Sequence, residues 1–184
     1  AKTLRQEQQQ ISQLRTSLKE REQKVKELER LLRKKDSANN ALKNRISEAF
    51  LSYNDKELSV EVKDGKIYVS LAEQLLFSSG STEIDNEGRK ALNKLAEVLT
   101  KQTQPDILVE GHTDSLSIET KCIEDNWDLS ILRATSIVRL MINQGVSPER
   151  LVPSGRSKYV PVVTNNTEAG RRKNRRTEII LSPK

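Results

Sequence analysis

The first 64 residues contain neither glycine nor proline, although seven glycines and five prolines follow from Gly65 onward. A stretch of that length without either structure breaker suits one long helix. Within it Leu4, Ile11, Leu18, Val25, Leu32 and Ile46 are spaced by multiples of seven, and Leu14, Leu28 and Leu42 fall three residues after positions 11, 25 and 39 of the same register. The two sets are positions a and d of a heptad repeat, the pattern that lets helices bury a shared seam. Glu7, Arg21 and Lys35 are polar residues at d, and Asn39 falls at a, where a buried amide can fix register. The spacing predicts a helical coiled-coil stalk over residues 1–50, most simply a parallel homodimer. A lone helix lying on the rest of the chain, or one strand of a larger bundle, is the plainer alternative.

Charge divides at the same place. Residues 1–50 hold 13 Lys/Arg against 7 Asp/Glu, and residues 51–184 hold 19 of each, so the whole net charge of +6 sits on the predicted stalk. The basic balance therefore describes a basic helix joined to a neutral domain and gives no reason to expect nucleic acid as a partner. Six aromatic residues are too few for the stacking platforms of single-strand binders. No apolar run approaches the ~20 residues of a membrane span, and AKTLRQEQQQ lacks the layout of a secretory leader. Membrane attachment is expected only through an anchor upstream of Ala1. A single cysteine, Cys122, and a single histidine, His112, leave no intrachain disulfide, no zinc cluster and little material for nucleophilic catalysis. No cofactor, metal or catalytic residue is expected.

From Leu58 the hydrophobic period changes to two. Leu58, Val60 and Val62, then Ile67, Val69 and Leu71, flank Asp64-Gly65, a pair suited to a tight hairpin turn with positive φ. Residues 85–102 and 129–143 show apolar spacing of helical type, ended by Pro105 and Gly145. Residues 107–109, 150–154 and 177–181 read as strands, with a short helix around 167–174. This alternation predicts a domain over residues 51–184 built as an α/β sandwich, with helices covering one sheet.

Three clusters carry chemistry: Gly111-His112-Thr113-Asp114 after a strand, residues 126–134 opening a helix, and Gly170 to Arg176 before the last strand. A carboxylate at a strand end and an arginine one turn into the next helix, Asp114 and Arg133, can face each other with opposite charge across a cleft that suits a zwitterion. Asn126 or Asp128 can cap the helix. The plainer alternative is a structural ion pair between Asp114 and Arg133. His112 is expected to be structural; the arginines of 171–176 could suggest nucleic acid or a localisation signal but could equally pair with carboxylates of the same neutral domain, and nucleic acid is the weaker reading.

Together with Phe77, Leu129-Ser130, Arg133-Ala134, Gly145, Arg150-Leu151, Gly155, Pro161, Asn165, Gly170-Arg171, Asn174-Arg175-Arg176 and Glu178-Ile179, these clusters resemble the OmpA-like C-terminal domain, a peptidoglycan-associating module. The resemblance covers about residues 67–182 and does not extend to the stalk. The segment from Ser115 to Asp125 with Asn126-Trp127 is similar to that of MotB-like flagellar stator proteins and lipoprotein-linked relatives. The resemblance implies an α+β domain of βαβαβ type with a mixed sheet and helices on one face. It also implies non-enzymatic binding of the diaminopimelate-bearing peptide stem, to anchor an envelope protein or complex to the cell wall. On matching positions, Asp114 would accept the ligand ammonium and Arg133 would clamp a carboxylate, with Asn126, Thr113, Leu129 and Arg176 as further contacts. The implied location is the periplasm, attached to the outer membrane or cell envelope, or alternatively anchored in the inner membrane. A competing reading is a coiled-coil scaffold or stator-type anchor whose globular domain mainly binds protein.

Overall fold

Helix α1 spans Lys2–Ala49, yet the chain divides inside it into two compact units, residues 1–38 and 39–184. The computed structural model describes residues 2–54, 56–102 and 105–182. In the first unit Leu4, Ile11, Leu14, Leu18, Val25, Leu28 and Leu32 are all more than half exposed, so the heptad seam is uncovered among the described residues.

The second unit begins earlier than the boundary after residue 50 expected from composition. Leu42, Ile46 and Phe50 lie in the hydrophobic core of the globular domain. Asn39, only 3% exposed, donates its amide N–H to the Gly65 carbonyl at 2.9 Å. The heptad positions after Ala38 are thus spent on packing within this domain, and Asn39 serves the hairpin turn.

That hairpin joins β1 (Leu58–Lys63) to β2 (Lys66–Ala72) in antiparallel register, with Val60 opposite Val69. Its turn has Asp64 at φ 51° and Gly65 at φ 71°, the two positive angles that the right-handed strand twist demands of a two-residue turn. A single helical turn α2 (Glu73–Leu76) and helix α3 (Asn86–Thr100) follow, then β3 (Asp106–His112) and α4 (Asn126–Asn143). A 3-10 turn at Pro148–Arg150 leads into β4 (Leu151–Gly155), and α5 (Glu168–Asn174) precedes β5 (Arg176–Ser182).

The sheet order is β1-β2-β5-β3-β4, with β3 and β4 parallel and the other pairs antiparallel. This is the mixed sheet of an α+β domain. Side chains alternate across it: Ile67, Val69, Leu71, Ile107, Val109, Ile179 and Leu181 are fully buried under the helices, while Ser59, Glu61, Tyr68, Ser70 and Val152 keep the other face accessible. Arg150 closes the bottom of α3, its guanidinium donating to the carbonyls of Leu99 and Pro105 at 3.0 Å each. The bonds tie the end of α3 to the segment that enters β3.

Two close approaches set the upper end of the sheet. A Cβ at Gly111 would collide with the backbone carbonyl of Ser130, so α4 lies directly against β3. A Cβ at Gly155 would meet Ser130 and Ile131 of the same helix. Helix α4 therefore crosses the ends of two parallel strands with almost no gap, and Arg133, one turn on, is carried with it.

Candidate functional site

Asp114 lies two residues beyond β3 and is 4% exposed; Arg133 lies on α4 and is 3% exposed. A buried carboxylate and a buried guanidinium each need a counter-charge, and they do not supply it to each other. Asp114 Oδ2 pairs with Arg175 Nη1 at 2.5 Å, while its Oδ1 accepts from the Leu116 N–H at 2.9 Å. Arg133 Nη2 contacts Glu73 Oε1 at 2.5 Å, and its Nε donates to the Ser81 carbonyl at 2.9 Å. The guanidinium carbon of Arg133 stands 5.0 Å from the Phe77 ring centre, a cation–π contact.

The two halves are joined. Glu73 Oε2 pairs with Arg175 Nε at 2.7 Å, and the Glu73 N–H donates to the Arg175 carbonyl at 3.0 Å. The order of charges is Arg133, Glu73, Arg175, Asp114, with Glu168 attached to Arg175 at 3.0 Å on the outside. Burial lowers the pKa of Arg133, opposed mainly by the Glu73 carboxylate. Burial also presses on Arg175, but the hydrogen bonds to Asp114 and Glu168 and the nearby charges outweigh it and raise its pKa.

The remaining expected site residues scatter around this relay. Thr113 is buried, its N–H bonded to the Ser157 carbonyl and its hydroxyl to the Asp114 carbonyl. Asn126 donates to the Leu116 carbonyl at 2.8 Å and lies 3.4 Å from that of Asp114, so it pins the loop that carries the carboxylate. Leu129 is buried on α4. Neither Asn126 nor Asp128 is the helix cap: Asp125 takes that place, accepting from the N–H groups of Trp127 and Asp128. Asp128 accepts instead from the Glu124 N–H at 2.8 Å.

Arg176 points elsewhere. Its Nε pairs with Glu178 at 2.6 Å and its Nη1 with the carbonyls of Val160 and Asn174. The arginine beside Asp114 is Arg175. Strand alternation explains the difference, because Arg176 and Glu178 share the side of β5 opposite the buried Thr177 and Ile179, which leaves Arg175 to the other side. Glu73 was the other residue that sequence reasoning missed; it opens a four-residue helix with no hydrophobic period to announce it.

His112, Glu110 and Glu178 form a second cluster, with three ligand-type atoms within 4.8 Å of one another. His112 Nε2 is 3.3 Å from Glu110 Oε1 and 3.9 Å from Glu178 Oε2. Among the described residues these are the groups placed closely enough to approach a metal. Each carboxylate, however, already holds an arginine, Arg156 on Glu110 and Arg176 on Glu178. A divalent cation added there would leave a charge excess, and the cluster reads as an internal polar network. A cavity of about 400 Å³ opens beside Asn126, between Ser117, Glu119, Glu124 and Tyr159, and neither Asp114 nor Arg133 lines it.

A mixed five-stranded sheet, with helices on one face and a buried carboxylate and guanidinium at a strand end and on the following helix, has the architecture of an OmpA-like domain. The chain belongs to the OmpA family, which matches residues 76–175. It is 28% identical to Motility protein B of Bacillus subtilis over 71% of this chain and 50% of that protein. It is 32% identical to the probable lipoprotein YiaD of Escherichia coli over 68% of this chain and 56% of that protein. The chain thus spans about half the length of the relatives it matches. Among solved structures, the cell wall anchor of the type VI secretion system from Pseudomonas aeruginosa superposes with a TM-score of 0.70 at 29% identity, over 78% of this chain and 97% of that one. The periplasmic domain of Helicobacter pylori MotB gives 0.63 at 26% identity, over 68% and 79%.

Proposed function

We propose that residues 39–184 bind the peptide stem of cell-wall peptidoglycan non-covalently, and so anchor an envelope protein or complex to the wall. The observation that carries this reading is that Asp114 and Arg133, both more than nine-tenths buried, keep separate partners and are not paired with each other. Two opposed charges in desolvated surroundings can recognise a centre bearing an ammonium and a carboxylate, as diaminopimelate does, and reject ligands with one charge. Arg133 is held at Nη2 by Glu73 and at Nε by the Ser81 carbonyl, and an incoming carboxylate would compete with Glu73 for the guanidinium. The similarity to a solved cell wall anchor supports the same assignment.

Binding without turnover is part of the proposal. His112 faces two carboxylates, and Cys122 is exposed on a loop. Residues 1–38 would pair with a second copy through the uncovered heptad seam, giving two linked heads that engage a repeating polymer with avidity. At ~1.5 Å per residue such a segment is about 57 Å long, which suits a spacer. No helix among the described residues is long and apolar enough to cross a membrane. The proposed setting is the periplasm, with attachment to either membrane made by a segment outside residues 1–184. The likeness to Motility protein B favours, as a second reading, a stator-type anchor in the inner membrane.

Sedimentation with purified sacculi tests the assignment. Asp114→Ala and Arg133→Ala should each reduce bound protein by about tenfold or more while circular dichroism stays native, because each leaves one ligand charge without its counter-charge. Wild-type co-sedimentation by both variants would remove the assignment.

A further inference from the structure

We infer that Glu73 and Arg175 are specificity-determining residues that stand in for the two charges of the ligand. This rests on the peptide-stem reading above and extends it. In the free domain Asp114 holds a guanidinium where the ligand would bring an ammonium, and Arg133 holds a carboxylate where the ligand would bring one. Both surrogates match the ligand in sign.

They are also placed to leave. The side chains of Arg175 and Glu73 are 21% and 13% exposed, against 6% for Asp114 and 4% for Arg133, so the surrogates lie nearer solvent than the groups they satisfy. On displacement each retains a partner, because Glu73 and Arg175 pair with each other and Arg175 also holds the exposed Glu168. A ligand carboxylate lying in the guanidinium plane can take the place of Glu73.

The coupling gives the selectivity. A ligand carrying both charges replaces the Glu73–Arg175 pair as a unit and leaves no charge orphaned. A ligand carrying only the ammonium displaces Arg175 from Asp114 while Glu73 stays on Arg133, and the Glu73–Arg175 contact must then break or stretch. Single-charge ligands are penalised even though the domain offers them one matching group.

Calorimetric titration of residues 1–184 with two soluble stem peptides, one containing diaminopimelate and one lysine at that position, tests this. Glu73→Gln should bind the diaminopimelate peptide at least threefold tighter than wild type, and should tighten the lysine peptide by less, because the Glu73–Arg175 contact that this ligand has to break is gone. Arg175→Gln should tighten both. A purely structural role would weaken binding of both peptides in both variants. If a variant binds the diaminopimelate peptide no better than wild type while its circular dichroism is native, the inference is overturned and the peptide-stem reading stands. If one variant does not fold, the other decides. If wild type and variants alike bind neither peptide, the peptide-stem reading falls and this inference with it.

Discussion

Glu73 Oε2 and Arg175 Nε stand 2.7 Å apart, so the residue that holds Arg133 and the residue that holds Asp114 also hold each other. Buried ion pairs of this kind contribute little net stability compared with apolar side chains of equal volume, because desolvation offsets much of the attraction. Their presence in the upper part of an otherwise apolar core therefore fits recognition better than stability. Burial lowers the pKa of Arg133 and the surrounding carboxylates raise that of Arg175, yet an arginine titrates so far above neutrality that both remain cations in the physiological range.

The contact between Gly111 and Ser130 predicts that the site depends on a side chain that is absent. Gly111→Ala places a methyl group against the Ser130 carbonyl and must push α4 off β3. Overpacking of this type costs about 1–3 kcal/mol. Thermal unfolding should register the loss, and stem-peptide binding should weaken because Arg133 moves with the helix. An unchanged melting temperature would mean that the two elements approach less tightly than the structure indicates.

Acid sensitivity should arise partly at Glu110. The facing His112 imidazole lowers its pKa from the ordinary 4.5; burial opposes this, and Arg156 adds to the lowering. A carboxyl whose pKa is lower folded than unfolded binds fewer protons in the native state, so its stabilisation is complete above the unfolded value and is lost as pH falls through the folded one. Stability should therefore decline below about pH 4.5, and Glu110→Gln should flatten that part of the curve measured by urea unfolding. A variant with the same pH dependence as wild type would remove Glu110 from the account.

Self-association should reside in residues 1–38 alone. Sedimentation equilibrium is expected to give a dimer mass for residues 1–184 and a monomer mass for Leu18→Lys, which places a charge at a heptad a position. Asn39→Ala should keep the dimer and lose about 1 kcal/mol of domain stability through the missing bond to the Gly65 carbonyl. A monomeric wild type would leave the seam without its proposed partner.

The strands and long helices were legible because each announces itself by period: two for Leu58 to Leu71, seven for Leu4 to Leu32. The hairpin turn was equally open to reading, since Asp64-Gly65 supplies the residues that positive φ requires. The end of the stalk was not. Asn39, Leu42 and Ile46 continue the heptad pattern unchanged, and an apolar stripe does not declare whether another helix or a sheet will cover it. In the site, Asp114 and Arg133 could be singled out from the motifs they terminate and open. Their partners could not be placed as readily. Glu73 lies 41 and 60 positions away from them on a single helical turn, and Arg175 is separated from Arg176 only by the alternation of a strand that begins between them.

The central claim is that the domain reads an ammonium and a carboxylate together. Calorimetric titration of the unaltered chain with a diaminopimelate-containing muropeptide and with its lysine counterpart tests it most directly. The account predicts saturable binding of the first and at least about tenfold weaker binding of the second, the effect of losing about 1.4 kcal/mol from one charge-assisted contact. Equal affinity for the two peptides would contradict it.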